Sequence, residues 1–212
     1  NNSFGKNLIG AFAQPKAVYS DPYVLQTLPK REFAAGVAEM IKMAVTFDAS
    51  YLSKLEQANL QDNTSLQAMI AQSVQIKAAV VAQDEKEKGV RAALNYGHTF
   101  AHVIENFSGY GHYLHGEAVA IGMVMANKLS VKLSLMTIAE ATRIKTLLEH
   151  FNLPTHFHVE DSEAFYDAFF LDKKSGDKTI TFVLAKGIGE FEFHADIAKE
   201  DVISVLDEFA DA

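Results

Sequence analysis

The stretch Arg91-Ala92-Ala93-Leu94-Asn95-Tyr96-Gly97-His98-Thr99-Phe100-Ala101-His102, with His115-Gly116-Glu117 beyond a glycine-containing loop, organises the reading of the whole chain. The segment from about Leu94 to Asn106 is read as a helix, broken by Ser108-Gly109-Tyr110-Gly111. His98 and His102 then stand at i and i+4, about 6 Å apart on one face. Such a pair grips one cation, or one ring binds metal while the other faces substrate; the plainer reading is two partly exposed surface histidines. Three further facts favour a site. Gly97 lets another backbone approach closely. Asn95 and Arg91, one and two turns earlier on the same side, add a neutral donor and an anion clamp. His115 follows a loop that lets the chain fold back toward His98.

Upstream, Thr27-Leu28-Pro29 with Glu32 signals a helix start. Phe33, Val37, Met40, Ile41 and Ala44 recur at helical spacing, so a helix is expected from about Pro29 to Val45. A short helix is expected from Ala49 to Ala58. Asp62-Asn63-Thr64-Ser65 caps a long one to about Asp84, with Leu66, Met69, Ile70, Val74, Val80 and Val81 as its buried stripe. Downstream, helices are expected from His115 to Ser134, Ile138 to Phe151, Ser162 to Phe170 and Lys199 to Phe209. Thr179 to Leu184 reads as a strand, turned back by Gly187-Ile188-Gly189 through Glu190 to His194. The fold class is therefore mainly α, a multi-helix bundle with one small β-hairpin.

The chain has 212 residues, about half of them apolar, and a net charge of −8. That balance argues against nucleic acid or an anionic membrane as partner. The longest apolar run, Ala118 to Ala126, is too short to span a bilayer. Without cysteine, any metal must be held by His, Asp and Glu, which fits a cytoplasmic protein. The opening Asn1-Asn2-Ser3-Phe4-Gly5-Lys6-Asn7 carries neither Met nor signal peptide and reads as the middle of a longer protein.

Glu39 sits among Ala35, Val37, Ala38, Met40 and Ile41. Taken alone it is most simply half of a surface i,i+3 pair with Lys42; otherwise it is buried with a partner. A His/His/Glu set would leave positions on a metal open, as catalytic sites do. Lys77 shares a face with Ile70, Val74 and Val81, so it either snorkels to water or is held inward to meet an anion. Arg91, Lys42, Lys77 and one of Lys173 or Lys174 would then converge as positive charge in an acidic protein, the footprint of a small polyanionic substrate. Glu87 lies one helical turn before Arg91 and is placed to pair with it, within a turn that is otherwise solvated. His112, His150, His156, His158 and His194 have no comparable neighbours and are read as structural or surface residues.

Four motifs in this order resemble 3-dehydroquinate synthase: Gly5 to Phe12, Gly36 to Lys42, Arg91 to Glu117, and Asp172-Lys173-Lys174. The resemblance implies that residues 1–212 form the family's C-terminal metal- and substrate-binding helical domain, with 1–20 as an interdomain segment and the N-terminal NAD-binding domain outside the chain. It implies conversion of the seven-carbon acid phosphate DAHP to 3-dehydroquinate and phosphate, in the shikimate pathway to aromatic amino acids. NAD and a divalent metal, usually zinc with cobalt as the alternative, would assist, and the full-length enzyme would be a homodimer. By position, Glu39, His98 and His115 resemble the metal ligands. His102 resembles a residue at the phosphate and proton-transfer end, and Glu87 a proton acceptor. Lys42 resembles a substrate-binding and catalytic residue, and Lys77, Arg91, Asn95 and Lys173 resemble substrate clamps. Lys6 and Asn7 resemble the loop meeting substrate and nucleotide, and Val24, Leu25, Gln26 and Thr27 a stretch touching the nucleotide. The chain by itself is expected not to turn over. The competing readings are a related sugar-phosphate cyclase, a metal-dependent polyol dehydrogenase of the same superfamily, or a helical module whose histidines are structural.

Overall fold

In a computed structural model of the chain, the described residues are 10, 15–87, 89–109, 111–170 and 179–210. Lys6, Asn7, Lys173 and Lys174 lie outside them. Residues Pro22–Thr27 form a 3-10 helix that the sequence reading did not separate from a loop. Its four nucleotide-site candidates split, with Leu25 half-buried and Val24, Gln26 and Thr27 exposed.

Pro29 ends the lead-in, and α1 runs Lys30–Phe47 with Glu32 in its first turn, favourably placed against the helix dipole. The expected single apolar face of α1 proves too narrow. Ala34, Ala35, Ala38, Met43, Val45 and Lys42 are buried as well, because α2 (Ala49–Gln57), α3 (Asn63–Gln83) and α5 (His115–Lys132) all pack on it.

Asp62 caps α3 as its sequence foretells, accepting the Ser65 N–H at 2.8 Å. The stripe assigned to α3 is a correction. Leu66 and Val80 are buried, Met69, Ile70 and Val81 only half so, and Val74 is 54% exposed. Lys77, one turn after Val74, is exposed with it. The helix lies at the bundle's edge, so much of its length looks onto solvent.

The expected helix across Leu94 is also corrected. A 3-10 turn covers Val90–Asn95, and α4 begins only at His98 and runs to Ser108. Gly97, at φ 79°, breaks the two apart. The reason is packing. A side chain on Gly97 would lie 2.9 Å from Met123 Cγ and 3.1 Å from Met123 N, and one on Gly122 only 2.1 Å from the Gly97 carbonyl oxygen. The two glycines let α4 and α5 touch backbone to backbone. α5 is buried almost all round, with α1 and α4 on it from one part of the chain and α6 (Ile138–His150), β1 (Phe182–Ala185) and α8 (Lys199–Asp207) from another.

The tail holds α7 (Ser162–Ala168) and the hairpin of β1 (Phe182–Ala185) with β2 (Phe191–His194), antiparallel with Phe182 opposite His194. The strand starts later than expected, at Phe182. The hairpin's turn docks on the bundle through Gly187 N–H to the Leu135 carbonyl and Gly189 N–H to the Val45 carbonyl. Mainly helical with one small hairpin is the architecture observed. Among the described residues no helix is long and apolar enough to cross a membrane.

Candidate metal centre

Three helices converge on one point. Glu39 comes from the middle of α1, His98 from the first residue of α4 and His115 from the first residue of α5, and each offers a ligand atom within 4.8 Å of the others'. The His98 and His115 rings stand 5.1 Å apart, and His102 lies edge-on to His98 at 5.8 Å, exposed to solvent.

Both candidate histidines are tethered by the same ring nitrogen. His98 Nδ1 lies 3.2 Å from the Tyr96 carbonyl, and His115 Nδ1 lies 3.1 Å from Glu105 Oε1. A carbonyl or carboxylate there holds the proton on Nδ1 and leaves Nε2 with its lone pair free, the arrangement typical of metal-binding imidazoles. Tyr96 is itself fixed, fully buried with its hydroxyl donating to Asn127 Oδ1. Burial, and then the Lys42 ammonium, push the His98 imidazole down to about 4, so it is neutral near pH 7.

Glu39 and Lys42 do form the i,i+3 pair, at 2.6 Å, but the Lys42 side chain is only 5% exposed. The surface-pair reading is therefore corrected. Burial opposes the charge on Glu39, yet the Lys42 ammonium, with the His98 and His115 rings, outweighs it and holds the carboxyl below the usual carboxylate range. Burial likewise drives Lys42 below its ordinary value, against Glu39 and with help from Lys77. Lys77 thus snorkels to water while its charge reaches Lys42.

Glu39 Oε1 is buried and has no hydrogen-bond partner among the described residues. An orphaned carboxylate oxygen beside two tethered imidazoles fits a divalent cation. Ligand bonds of about 2.0–2.2 Å put tetrahedral donors roughly 3.4 Å apart, so closing on an ion takes shifts of about an ångström. Three protein donors leave positions open.

The other candidates are disposed differently. With no continuous helix before His98, Asn95 and Arg91 are not stacked beneath it. Asn95 donates to Glu87 Oε1 at 2.9 Å, while Arg91 Nη1 donates to the Glu85 carbonyl at 2.6 Å. The Glu87 carboxylate therefore takes Asn95, where the sequence suggested Arg91. His102 borders a cleft of about 200 Å³ with Thr99, Asn106 and Thr181. A larger cavity of about 700 Å³, between α5 and α6, is lined by none of Glu39, His98 and His115.

Three residues escaped the sequence reading. Glu105 is seven positions after His98 on α4, a spacing that puts it on the histidine face and could have been read. Arg31 and Glu117 form a bidentate pair, both bonds at 2.6 Å, that nothing in local spacing announces.

A family model described as 3-dehydroquinate synthase C-terminal matches residues 36–175, and one described as 3-dehydroquinate synthase N-terminal matches residues 1–35. Curated 3-dehydroquinate synthases from Wolinella succinogenes and Helicobacter hepaticus are 59% and 57% identical over 211 and 212 residues, covering 100% and 99% of the chain. The chain spans only 61% and 60% of their length. Among solved structures, a 2-deoxy-scyllo-inosose synthase complexed with carbaglucose-6-phosphate, NAD+ and Co2+ is similar, with TM-score 0.82 and 25% identity, over 99% of this chain and 60% of that one. So is ValA, a 2-epi-5-epi-valiolone synthase from Streptomyces hygroscopicus subsp. jinggangensis 5008 with NAD+ and Zn2+ bound, with TM-score 0.80 and 27% identity, over 90% of this chain and 54% of that one. With both halves of one family's description matched in chain order, the chain belongs to the 3-dehydroquinate synthase family.

Proposed function

We propose that this chain supplies the metal- and substrate-binding part of a 3-dehydroquinate synthase, a cytoplasmic carbon–oxygen lyase of aromatic amino acid biosynthesis that converts DAHP to 3-dehydroquinate and phosphate. The observation that carries the reading is the convergence of Glu39, His98 and His115, with one Glu39 oxygen buried and without a hydrogen-bond partner among the described residues. In this reading residues 1–212 act as one helical domain, NAD is held largely by a further domain, and the whole protein is a homodimer.

Glu39, His98 and His115 would hold the cation, zinc or cobalt, which supplies Lewis acidity to the hydroxyl that is oxidised. NAD, when bound, would supply reversible hydride acceptance. Lys42 brings a buried positive charge next to the carboxylate, where developing negative charge on substrate oxygen is stabilised most strongly. Lys77 and Arg91 add charge for a substrate bearing carboxylate and phosphate, with Asn95 as neutral donor and Lys173, Lys6 and Asn7 as further contacts. For Arg91 and Asn95 this requires exchanging the Glu85 carbonyl and the Glu87 carboxylate for substrate. His102, exposed and beside His98, carries a proton at the phosphate end, and Glu87 is the second candidate acceptor. Val24 to Thr27 meet the nucleotide.

The test replaces the corresponding stretch of the Wolinella succinogenes relative by this chain. The chimera, given DAHP, NAD and a divalent metal, is expected to release phosphate with no net NADH. The similarity to other cyclases keeps a related sugar-phosphate cyclase as the second reading, which a folded chimera inert toward DAHP would favour. Accumulating NADH without phosphate would point to a polyol dehydrogenase.

The tether on His115 gives a second test, on metal binding alone. Glu105→Ala is expected to weaken zinc binding about 10- to 100-fold, the usual effect of losing an outer partner. Glu105→Gln, whose amide oxygen still accepts from Nδ1, is expected to lose much less. Chelator competition measures both.

A further inference from the structure

The first turn of α5 lies across α1 at one point. A side chain on Gly116 would come within 2.0 Å of the Ala35 carbonyl oxygen, so the two backbones are in contact there. Arg31 and Glu39 flank Ala35, each one helical turn away, roughly 6 Å along the axis. On one side of the crossing Arg31 meets Glu117; on the other Glu39 meets His115. Three residues of α1 at i, i+4 and i+8 thus face three consecutive residues of α5.

The glycine contact, a Cα–H facing a carbonyl oxygen, is weak and constrains direction little. By itself it leaves the first turn of α5, where His115 is exposed, room to shift on α1, although the body of the helix is packed on all sides. At a lever of about 6 Å, a pivot of roughly 10° displaces a ligand by about 1 Å, whereas metal sites hold their distances to about 0.2 Å. The contact on the far side from His115 removes that freedom. Arg31 Nε and Nη2 donate to Glu117 Oε1 and Oε2, both at 2.6 Å, and Nη2 also donates to the His112 carbonyl at 2.7 Å. Glu117 Oε2 in turn accepts the Leu114 N–H at 2.8 Å. A planar guanidinium making three bonds fixes both the distance and the angle of the loop-to-helix junction. Glu117 is 8% exposed while the Arg31 side chain is 55% exposed, so the guanidinium grips the crossing from its solvent side.

We propose that Arg31 is a positioning residue of the metal centre, its fork on Glu117 and the His112 carbonyl setting the register of α5 on α1 and hence the Glu39–His115 span. The proposal rests on Glu39, His98 and His115 being the ligands. It differs from a purely structural role, in which the clamp only steadies the start of α5.

The experiment titrates zinc against a chromophoric chelator in the 212-residue chain and melts each protein with zinc removed. Arg31→Met and Glu117→Gln are each expected to bind zinc about 10-fold more weakly, while zinc-free helical content is kept and melting falls only modestly, most in Arg31→Met, which leaves the buried Glu117 carboxylate unpaired. The double variant is expected to be no weaker than the worse single, since both break one contact. Arg31→Lys is expected to recover little, because an ammonium cannot make the paired contact. A wild-type chain that binds zinc, with variants within twofold of it, overturns the clamp and leaves the centre standing. Affinity loss that only tracks a loss of zinc-free structure overturns it as well. A wild-type chain that takes up no zinc, or takes it up equally after Glu39→Gln, overturns the centre and the clamp together.

Discussion

Glu39→Gln is expected to weaken zinc binding more than 100-fold, beyond the range of about 10–100-fold for outer partners, and to destabilise the zinc-free protein as well. The two losses have separate causes. An amide is a poor ligand in place of the only carboxylate of the set. It also leaves the Lys42 ammonium, 5% exposed, without its counter-charge. Removing one partner of a fully buried pair costs about 3–5 kcal/mol. Glu39 is partly exposed and Lys42 can shed its proton, so about 1–3 kcal/mol is expected here. His98→Ala separates the effects. It is expected to lose zinc to a similar degree while sparing the Glu39–Lys42 pair, so its zinc-free stability falls less. Chelator competition and thermal melts with zinc removed read both quantities. Zinc affinity of Glu39→Gln within a few-fold of wild type would end the metal-centre reading.

Gly122→Ala carries the second large effect, and a sign opposite to what helix propensity implies. Alanine in a helix interior gains up to about 1 kcal/mol over glycine. At Gly36 that gain is expected, since an added Cβ meets nothing within 4 Å. At Gly122 the same atom would sit 2.1 Å from the Gly97 carbonyl oxygen and 3.0 Å from Ala101 N. These are backbone atoms of the very junction that carries His98, so α4 must move as a unit. Overpacking typically costs about 1–3 kcal/mol and sometimes more, and about 3 kcal/mol net loss is expected, with weakened zinc binding because His98 moves with the junction. Urea midpoints of the two alanine variants should move in opposite directions. Equal shifts would show that α4 and α5 do not meet as closely as described.

How much of this was legible in the sequence depended on whether the signal was local. α1, α3, α5 and α6 are long, and three of them carry their own start signals: Pro29 for α1, Asp62 for α3, and Thr137 with Glu140 for α6. Their ends fell within a few residues of the reading. The convergence of Glu39, His98 and His115 was legible through motif resemblance, since spacing alone left Glu39 in a surface pair. Lys42 lies buried because α1 is covered on several sides, which no single-helix pattern encodes. The break at Gly97 was missed because its cause is Met123 and Gly122 on another helix. The α3 stripe misled for the converse reason. Apolar spacing marks a face suited to burial, and at the bundle's edge no element covers Val74 among the described residues. Arg31 and Glu117, far apart in the chain, were invisible until the fold brought them together.

From Gly116 to Asn127 every residue of α5 is shielded from water. A segment with no wet side has nothing to hold it in solution while a ribosome is still delivering the rest. Two of its neighbours, α1 and α4, are already outside when it emerges, but α6, β1 and α8 follow it. Until Val202, Val205 and Leu206 of α8 arrive, one flank stays bare. Nascent or clipped chains ending before α8 should therefore be sticky, and dependent on chaperones for their survival.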